Sequence, residues 1–259
     1  MKLIEFQETL NKLFDEQLWQ EHEDDFGFLN RSNTSIHKVG YCTNLTLATI
    51  EQAIAHKVDL MITHHDAWDF IYGLKDECVE LLTKHNISHF FIHGPLDYVE
   101  FGTCTSFMNA LEVDTILRYS TFQGDSIPGV GEFENAISFE QFVQKMRSTL
   151  NEPVRVWKNN QQEIKKVGVL TGAGNSTNHI KSAIDSGCDT YITGEVSLYT
   201  IQYAQFVGIN LLVGSHTFTE IFGVETLVKK IHEVHPTFEK IQLFEPHDEL
   251  NHSMNEEVL

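Results

Sequence analysis

Two stretches of this chain copy one another, so whatever local structure the first adopts, the second must adopt again. Lys38-Val39-Gly40 recurs as Lys166-Val167-Gly168. Ala53-Ile54 with Asp59-Leu60-Met61-Ile62-Thr63 recurs, 130 residues later, as Ala183-Ile184 with Asp189-Thr190-Tyr191-Ile192-Thr193. Around both copies short apolar runs of strand length alternate with stretches of helical periodicity, the pattern of a layered α/β sheet. The expected fold class is therefore α/β: two similar α/β domains with mixed sheets flanked by helices. The first half spans residues 1–125 and the second 126–259.

Taken in order, the first ten residues carry apolar positions at helical spacing interrupted by acids, and read as an amphipathic helix rather than a signal peptide. Residues 21–33 are acidic and turn-rich and read as a solvated loop. Strands are expected at 38–42, 58–63, 87–92, 166–170, 189–193 and 210–213. Helices are expected at 45–56, 77–84, 103–111, 177–186, 198–207 and 223–234, and one opens at Ser138, whose spacing to Gln141 is that of a capping box. Residues 124–131 form a glycine- and proline-punctuated turn region.

The ends of these strands carry the chemistry. The strand that begins at Asp59 stops on His64 and His65, and at the same offset its copy stops on Gly194 and Glu195. The strand 87–92 runs out on His93 and Asp97, and its counterpart 210–213 on His216 and Glu220. In open α/β sheets ligands sit outside the carboxyl ends of strands, so four such ends can converge on one cleft if the halves pack as a pseudo-symmetric pair. His64, His65, Asp97, His216 and Glu220 are imidazoles and carboxylates with no thiolate. That set suits Zn, Fe, Mn, Co or Ni better than calcium. Five ligands exceed the three plus water of a single catalytic zinc, so two divalent ions sharing a bridging carboxylate is the better count. Adjacent strand side chains diverge, which lets His64 and His65 serve different ions.

Other polar residues read less sharply. His93 is a candidate hydrogen-bond partner of a ligand or a proton carrier, and equally a turn stabiliser. Glu195 is a candidate general base, and equally a cap for the following helix. His85 and His89 read as surface or helix-end residues, and His247 and His252 as parts of a polar tail with no partner pattern. The turn Gly172-Ala173-Gly174-Asn175-Ser176 lacks both the full Gly-x-Gly-x-x-Gly pattern and a P-loop lysine, so a tight turn is favoured over a phosphate cradle, and no cofactor-binding motif is assigned. Neither a Gly-x-Ser-x-Gly elbow nor a His-Glu-x-x-His helix occurs.

Composition narrows the partners. Thirty-seven acids against 18 Lys and Arg leave a net charge of -19, which opposes nucleic acid and anionic membrane surfaces. No run approaches the roughly 20 apolar residues of a membrane span. Cys42, Cys78, Cys104 and Cys188 match no metal or redox spacing and read as reduced, buried thiols of a cytoplasmic protein. The triplet Asn44-Leu45-Thr46 has the glycosylation pattern, which means nothing without a secretory signal.

Ile62-Thr63-His64-His65, His93-x-x-Leu96-Asp97, Tyr191-Ile192-Thr193-Gly194-Glu195 and Gly214-x-His216-x-x-x-Glu220 occur in this order across nearly the whole chain. Together they resemble the Nif-three-like proteins, also called GTP cyclohydrolase I type 2 homologues. The resemblance implies two α/β domains with a dinuclear metal site in the cleft between them, assembled as a toroidal homohexamer. It also implies that His65 and Asp97 hold one metal, that His64 and His216 hold the other, and that Glu220 bridges both. The chain departs from the family pattern at Asp66, where proline is usual, at Pro95, where asparagine is usual, and at Val196-Ser197-Leu198-Tyr199, where Lys-His-His follows the glutamate. The departures bear on substrate contacts and leave the ligands in place. The leading expectation is a metal-dependent hydrolase in which a metal-bound hydroxide attacks carbon or phosphorus, with a purine nucleotide or another phosphate-containing small molecule as substrate. A two-metal phosphoesterase and a non-catalytic metal store or regulatory ring are the alternatives.

Overall fold

The computed structural model describes residues 1–247. In chain order the elements are α1 (Leu3–Leu13), α2 (Glu16–Glu21), β1 (Phe26–Asn30), β2 (Lys38–Asn44), α3 (Leu47–Ala55), β3 (Leu60–His65), α4 (Leu74–Lys84), β4 (Ser88–Ile92), α5 (Gly94–Tyr98) and α6 (Thr103–Ala110). There follow β5 (Thr115–Arg118), β6 (Thr121–Phe122), β7 (Ser126–Ile127), β8 (Gly129–Ile137), α7 (Phe139–Leu150), β9 (Arg155–Trp157), β10 (Ile164–Leu170), α8 (Thr177–Asp185) and β11 (Thr190–Thr193). The last are α9 (Leu198–Val207), β12 (Asn210–Val213), α10 (His216–Val234) and β13 (Glu239–Gln242).

The chain forms two compact units. The first takes Met1–Val99 and Gly223–Glu245; the second takes Glu100–Phe222 and, among the described residues, Pro246 and His247. Halving the chain at the repeat places the boundary at 125/126. The compact units instead divide at 99/100, and Gly223–Glu245 return to the first because β13 pairs in parallel with β2.

In the first unit the sheet order is β1-β4-β3-β2-β13, parallel except for β1, which runs antiparallel on β4. β3 lies at the centre with all six residues buried, and Leu60, Met61 and Ile62 are wholly so. Side chains of that size contribute about 1.5–3 kcal/mol each on burial, so this strand is fixed by its core. In the second unit the order is β5-β8-β10-β11-β12-β9, with β10, β11 and β12 parallel and the outer strands antiparallel; β6 and β7 make a separate hairpin. Its core gathers Phe107, Phe142, Val167, Tyr191 and Leu212. The mixed α/β architecture expected from the sequence is the one observed.

The repeat extends to individual hydrogen bonds. The Asp59 carboxylate accepts from the amides of His37 and Lys38, and the Asp189 carboxylate accepts from those of Lys165 and Lys166. The Asn33 side chain donates to the carbonyls of Asp59 and Asn86; in the second unit Asn160 donates to those of Asp189 and Gly208. Each aspartate thus ties the start of one strand to the start of its neighbour.

Most helix and strand positions follow the sequence reading, since strong caps mark them: Ser138 accepts from the Gln141 amide, and Ser197 from that of Thr200. Four regions differ. Residues 21–33 are not a solvated loop but end α2 and form β1, because Phe26 and Phe28 lean on a sheet edge that periodicity alone does not reveal. The turn region 124–131 contains β7 and the start of β8. His89 is not at a surface: it is fully buried inside β4, whereas His85 is exposed at the end of α4 as expected. The last helix begins at His216, two turns earlier than expected. The four cysteines are free and buried. Among the described residues no helix is long and apolar enough to cross a membrane.

Candidate metal centre

In the first unit, β3 delivers His64 and His65 as its last two residues, 0% and 2% exposed. Their ring centroids lie 4.6 Å apart with planes tilted by 53°. Each is held from a different neighbouring strand. His64 Nδ1 lies 2.9 Å from the Ile92 carbonyl on β4, and His65 Nδ1 lies 2.8 Å from Asn44 Oδ1 on β2. A carbonyl only accepts, so Nδ1 carries the hydrogen in His64 and Nε2 is the nitrogen with a lone pair to give.

The Asn44 amide is itself oriented. Its Nδ2 donates to Glu245 Oε1 at 2.9 Å, and the Glu245 carboxylate also accepts from the amides of Asn44 and Thr43. With the NH₂ group committed to Glu245, Oδ1 faces His65 and sets its tautomer as the Ile92 carbonyl sets that of His64. Burial pushes the Glu245 carboxyl up, against the opposing pull of the Thr43 and Asn44 donors.

Beyond β4 the chain turns sharply at His93, the N-cap of α5, and places Asp97 in that helix's first turn. Asp97 Oδ1 lies 3.4 Å from His64 Nε2, and its Oδ2 lies 3.8 Å from His93 Nε2. On its other side His93 Nδ1 is 3.9 Å from Asp25, which also meets His22 at 3.3 Å. The neighbouring His93 imidazole, then the hydrogen bond with His22, holds the Asp25 carboxyl below its ordinary range against desolvation. A ligand atom from each of His64, His65 and His93 falls within 4.8 Å of the others, the spacing of a shared cation. Gly94 is required here, because a Cβ would collide with the His22 ring and lie 2.8 Å from Asp25 Oδ2.

In the second unit, His216 opens α10 and Glu220 follows one turn later on the same helical face. The His216 ring is held between two carboxylates: Nδ1 is 2.7 Å from Glu195 Oε1, and Nε2 is 3.3 Å from Glu220 Oε2. The other oxygen of Glu195 accepts from Asn175 Nδ2 at 2.8 Å. Burial works against charge on His216, but Glu220 and Glu195 outweigh it and the imidazole is pushed up to about 11. The pair therefore demands a cation, either a proton on His216 or a metal ion in its place. Gly172, in the left-handed region at φ +60°, leaves the room: a Cβ there would run into the Glu220 carboxylate and lie 2.9 Å from His216 Nε2. Glu152 anchors the start of this helix through the amide and hydroxyl of Ser215.

Each unit thus gathers its own share of the expected residues: His64, His65, His93 and Asp97 in the first, His216, Glu220 and Glu195 in the second. The expectation that all four ends are strand ends needs correction for two. Asp97 and the His216–Glu220 pair lie on helices, and helical i, i+4 spacing is what brings His216 and Glu220 together. The donors are imidazole nitrogens with pinned Nδ1 groups and carboxylate oxygens, which fits a divalent transition metal. Sequence reading missed Asn44, Glu245 and Asp25. Asn44 stood out only as part of a glycosylation triplet, and Asp25 was absorbed into an acidic run; Glu245 has no local signal at all. It also left His247 without a partner, whereas its ring stacks on Phe218 at 4.0 Å and its Nδ1 meets Glu152 at 3.1 Å. His252 lies outside the described residues.

Fold and site together define a class: an α/β protein of two internally repeated units whose strand and helix ends present histidine and carboxylate donors. The chain belongs to the Duf34/NIF3 (NGG1p interacting factor 3) family, whose model matches residues 1–246. Among curated relatives it is 28% identical over 229 residues to the "GTP cyclohydrolase 1 type 2 homolog" of Haemophilus influenzae, covering 84% of this chain and 90% of the relative. To the protein of the same name from Pyrococcus abyssi it is 28% identical over 204 residues, covering 76% and 80%. Among solved structures, reduced HcgD from Methanocaldococcus jannaschii matches with a TM-score of 0.77 at 23% identity over 94% of this chain and 98% of that one. TTHA1606 from Thermus thermophilus matches at 0.78 and 19% identity, over 95% and 99%. At these identities the structural likeness is one of fold.

Proposed function

We propose that His64, His65, Asp97, His216 and Glu220 hold two divalent transition-metal ions, and that the chain is a metal-dependent hydrolase acting on a nucleotide in the cytoplasm. In this assignment His65 and Asp97 would hold one ion, His64 and His216 the other, and Glu220 would contribute to both. The observation that carries the reading is the pinned Nδ1 of all three histidines, held by a carbonyl, an amide oxygen and a carboxylate. Such anchoring is the usual partner of metal ligation through Nε2. When bound, a pair of such ions supplies Lewis acidity and an activated water near neutral pH.

The chain's own residues supply the rest. Glu195 acts through His216, fixing its ring and balancing its charge. His93, half-exposed and bordered by Asp25 and Asp97, is placed to carry a proton between the site and solvent. The name shared by the curated relatives makes a purine nucleotide such as GTP the first substrate to test. Resemblance within the family supports a toroidal homohexamer, which light scattering would read directly.

Elemental analysis of the purified protein should find about two transition-metal ions per chain, and Glu220→Ala should lose most of both. Full retention in that variant removes the bridging assignment. Wild type and His64→Ala are then compared on nucleoside triphosphates and simple phosphoesters. Turnover that requires metal and disappears in His64→Ala supports the hydrolase; metal without turnover on any of them leaves a metal-binding or storage protein.

A further inference from the structure

Immediately after the two histidines the chain breaks its own pattern. The loop Asp66 to Gly73 carries Trp68, Phe70, Ile71 and Tyr72, and Phe70 and Tyr72 are 70% and 95% exposed. A run of bare aromatics costs solvation unless something covers it. Two of them already have a geometry: Trp68 lies 4.6 Å from the His65 ring and is stacked on Phe70 at 5.3 Å and 25°.

Between this loop and β1 the first unit contains a cavity of about 480 Å³, inside the usual range for small-molecule sites. Its walls are aromatic, with Trp68 and Phe70 from the loop, Phe28 from β1 and Phe91 from β4, and His65 and His93 reach it from the candidate metal site. Its polar groups are mostly acceptors: Asp24, Asp25, Asp66 and Asp69 line it. The one ammonium, Lys75, is shared between Asp66 at 2.8 Å and Asp69 at 3.0 Å. Flat aromatic walls select a flat ring. A surplus of carboxylates rejects an anion at that point and rewards adjacent N–H donors, which one carboxylate can take two at a time.

We infer that this cavity binds a planar nitrogen heterocycle with an amino and ring N–H edge, the ring packed among the aromatic walls of Phe28, Trp68, Phe70 and Phe91 and its donor edge turned to the aspartates. The inference rests on and deepens the proposed hydrolase reading by assigning the ring of its substrate to a particular cavity, but the pocket belongs to the first unit alone and its binding needs no metal. Any phosphate on such a ligand lies outside this acidic cavity.

The test uses the full chain after chelation. Guanosine, which has the N1–H and 2-amino donors and no phosphate, is titrated by calorimetry and by quenching of Trp68 emission, with Trp68→Phe identifying the signal. Inosine, which lacks the amino group, and inorganic phosphate are the comparators. Guanosine should bind saturably, inosine about tenfold or more weakly, and phosphate not at all. Phe70→Ala, a change at an exposed position, should weaken guanosine about tenfold. Asp24→Asn should also weaken it, while leaving inosine nearer its wild-type value. Equal affinity for inosine and guanosine, no saturable binding, or unchanged binding in Phe70→Ala overturns the inference. So does a Phe70→Ala variant whose only change is its oligomeric state, because the loop is then an interface between copies. Since the titration is metal-free, guanosine binding with no metal uptake sinks the metal reading alone, and metal uptake with no guanosine binding sinks this one alone.

Discussion

The Asn44 side chain bridges His65 and Glu245, and its orientation decides which His65 nitrogen faces outward. Replacing Glu245 by alanine removes the acceptor that holds the amide in place and leaves Oδ1 and Nδ2 free to exchange positions. Loss of such an anchoring partner typically costs 10–100-fold in metal affinity, so Glu245→Ala and Asn44→Ala should each weaken metal binding by about that factor. Competition against a chromophoric chelator measures it, and wild-type affinity in both variants would refute the relay. Gly172 is the second residue-scale test. An alanine there meets both a left-handed backbone, costing about 1–2 kcal/mol, and the Glu220 carboxylate. Gly172→Ala should therefore lower the denaturant midpoint and lose metal, whereas Gly124→Ala, where φ is +77° but no atom lies within 4 Å, should show only the backbone cost.

Within β4, His89 is buried beside the central strand and its Nε2 lies 2.8 Å from Thr63 Oγ1. Thr63 gives its own hydrogen to the His65 carbonyl at 2.6 Å, so His89 donates and is held neutral. Burial lowers it from 6.5 to about 3. Because the folded value lies below the unfolded one, the unfolded chain binds the extra proton between them, and stability rises with pH across that window. The contribution is complete above about pH 6.5 and is lost progressively toward pH 3, about 2 kcal/mol of it by pH 5. His89→Gln, which keeps a donor, should flatten the pH dependence of the urea midpoint between pH 4 and 7; an unchanged slope would show that other groups dominate. Elements of this kind also show how far the sequence could be read. Strands with apolar runs and helices with marked caps were legible, since their signals are local. β1, β5, β9 and β13 were not, since short edge strands with mixed polarity are selected by the sheet they join. The same divide holds for the site: histidines beside a strand terminus announce themselves, but Glu245 and Asp25 matter through partners far away in sequence. The start of α10 at His216 hid behind a Gly-Ser pair that reads as loop.

For the whole molecule, metal and folding should be linked. If both units fold around their donors, chelation removes a ligand of the native state alone, which at a free metal concentration one hundred times Kd is worth about 2.7 kcal/mol. Wild type should lose several degrees of Tm on chelation and regain them with added Zn or Mn, and Glu220→Ala should show no such shift. A wild-type Tm indifferent to chelator would disconnect the site from the fold. The net charge of -19 gives such a protein a surface that repels polyanions, so the nucleotide proposed above would have to be met by groups within the site rather than by the bulk field.

The matched clamps of Asp59 with Asn33 and Asp189 with Asn160 carry a historical implication. The hydrogen-bonding frame at the base of each parallel pair is the same to the level of individual amides, while the tips differ completely: His64 and His65 in one copy, Gly194 and Glu195 in the other. This is the pattern of an internal duplication whose copies differ at their tips, the first ending in imidazoles and the second in a carboxylate that holds His216 at the end of the adjoining strand. Restoring symmetry should therefore be tolerated by the fold and fatal to the chemistry: a chain with His64→Gly and His65→Glu would be expected to keep its secondary structure by circular dichroism and to bind no metal.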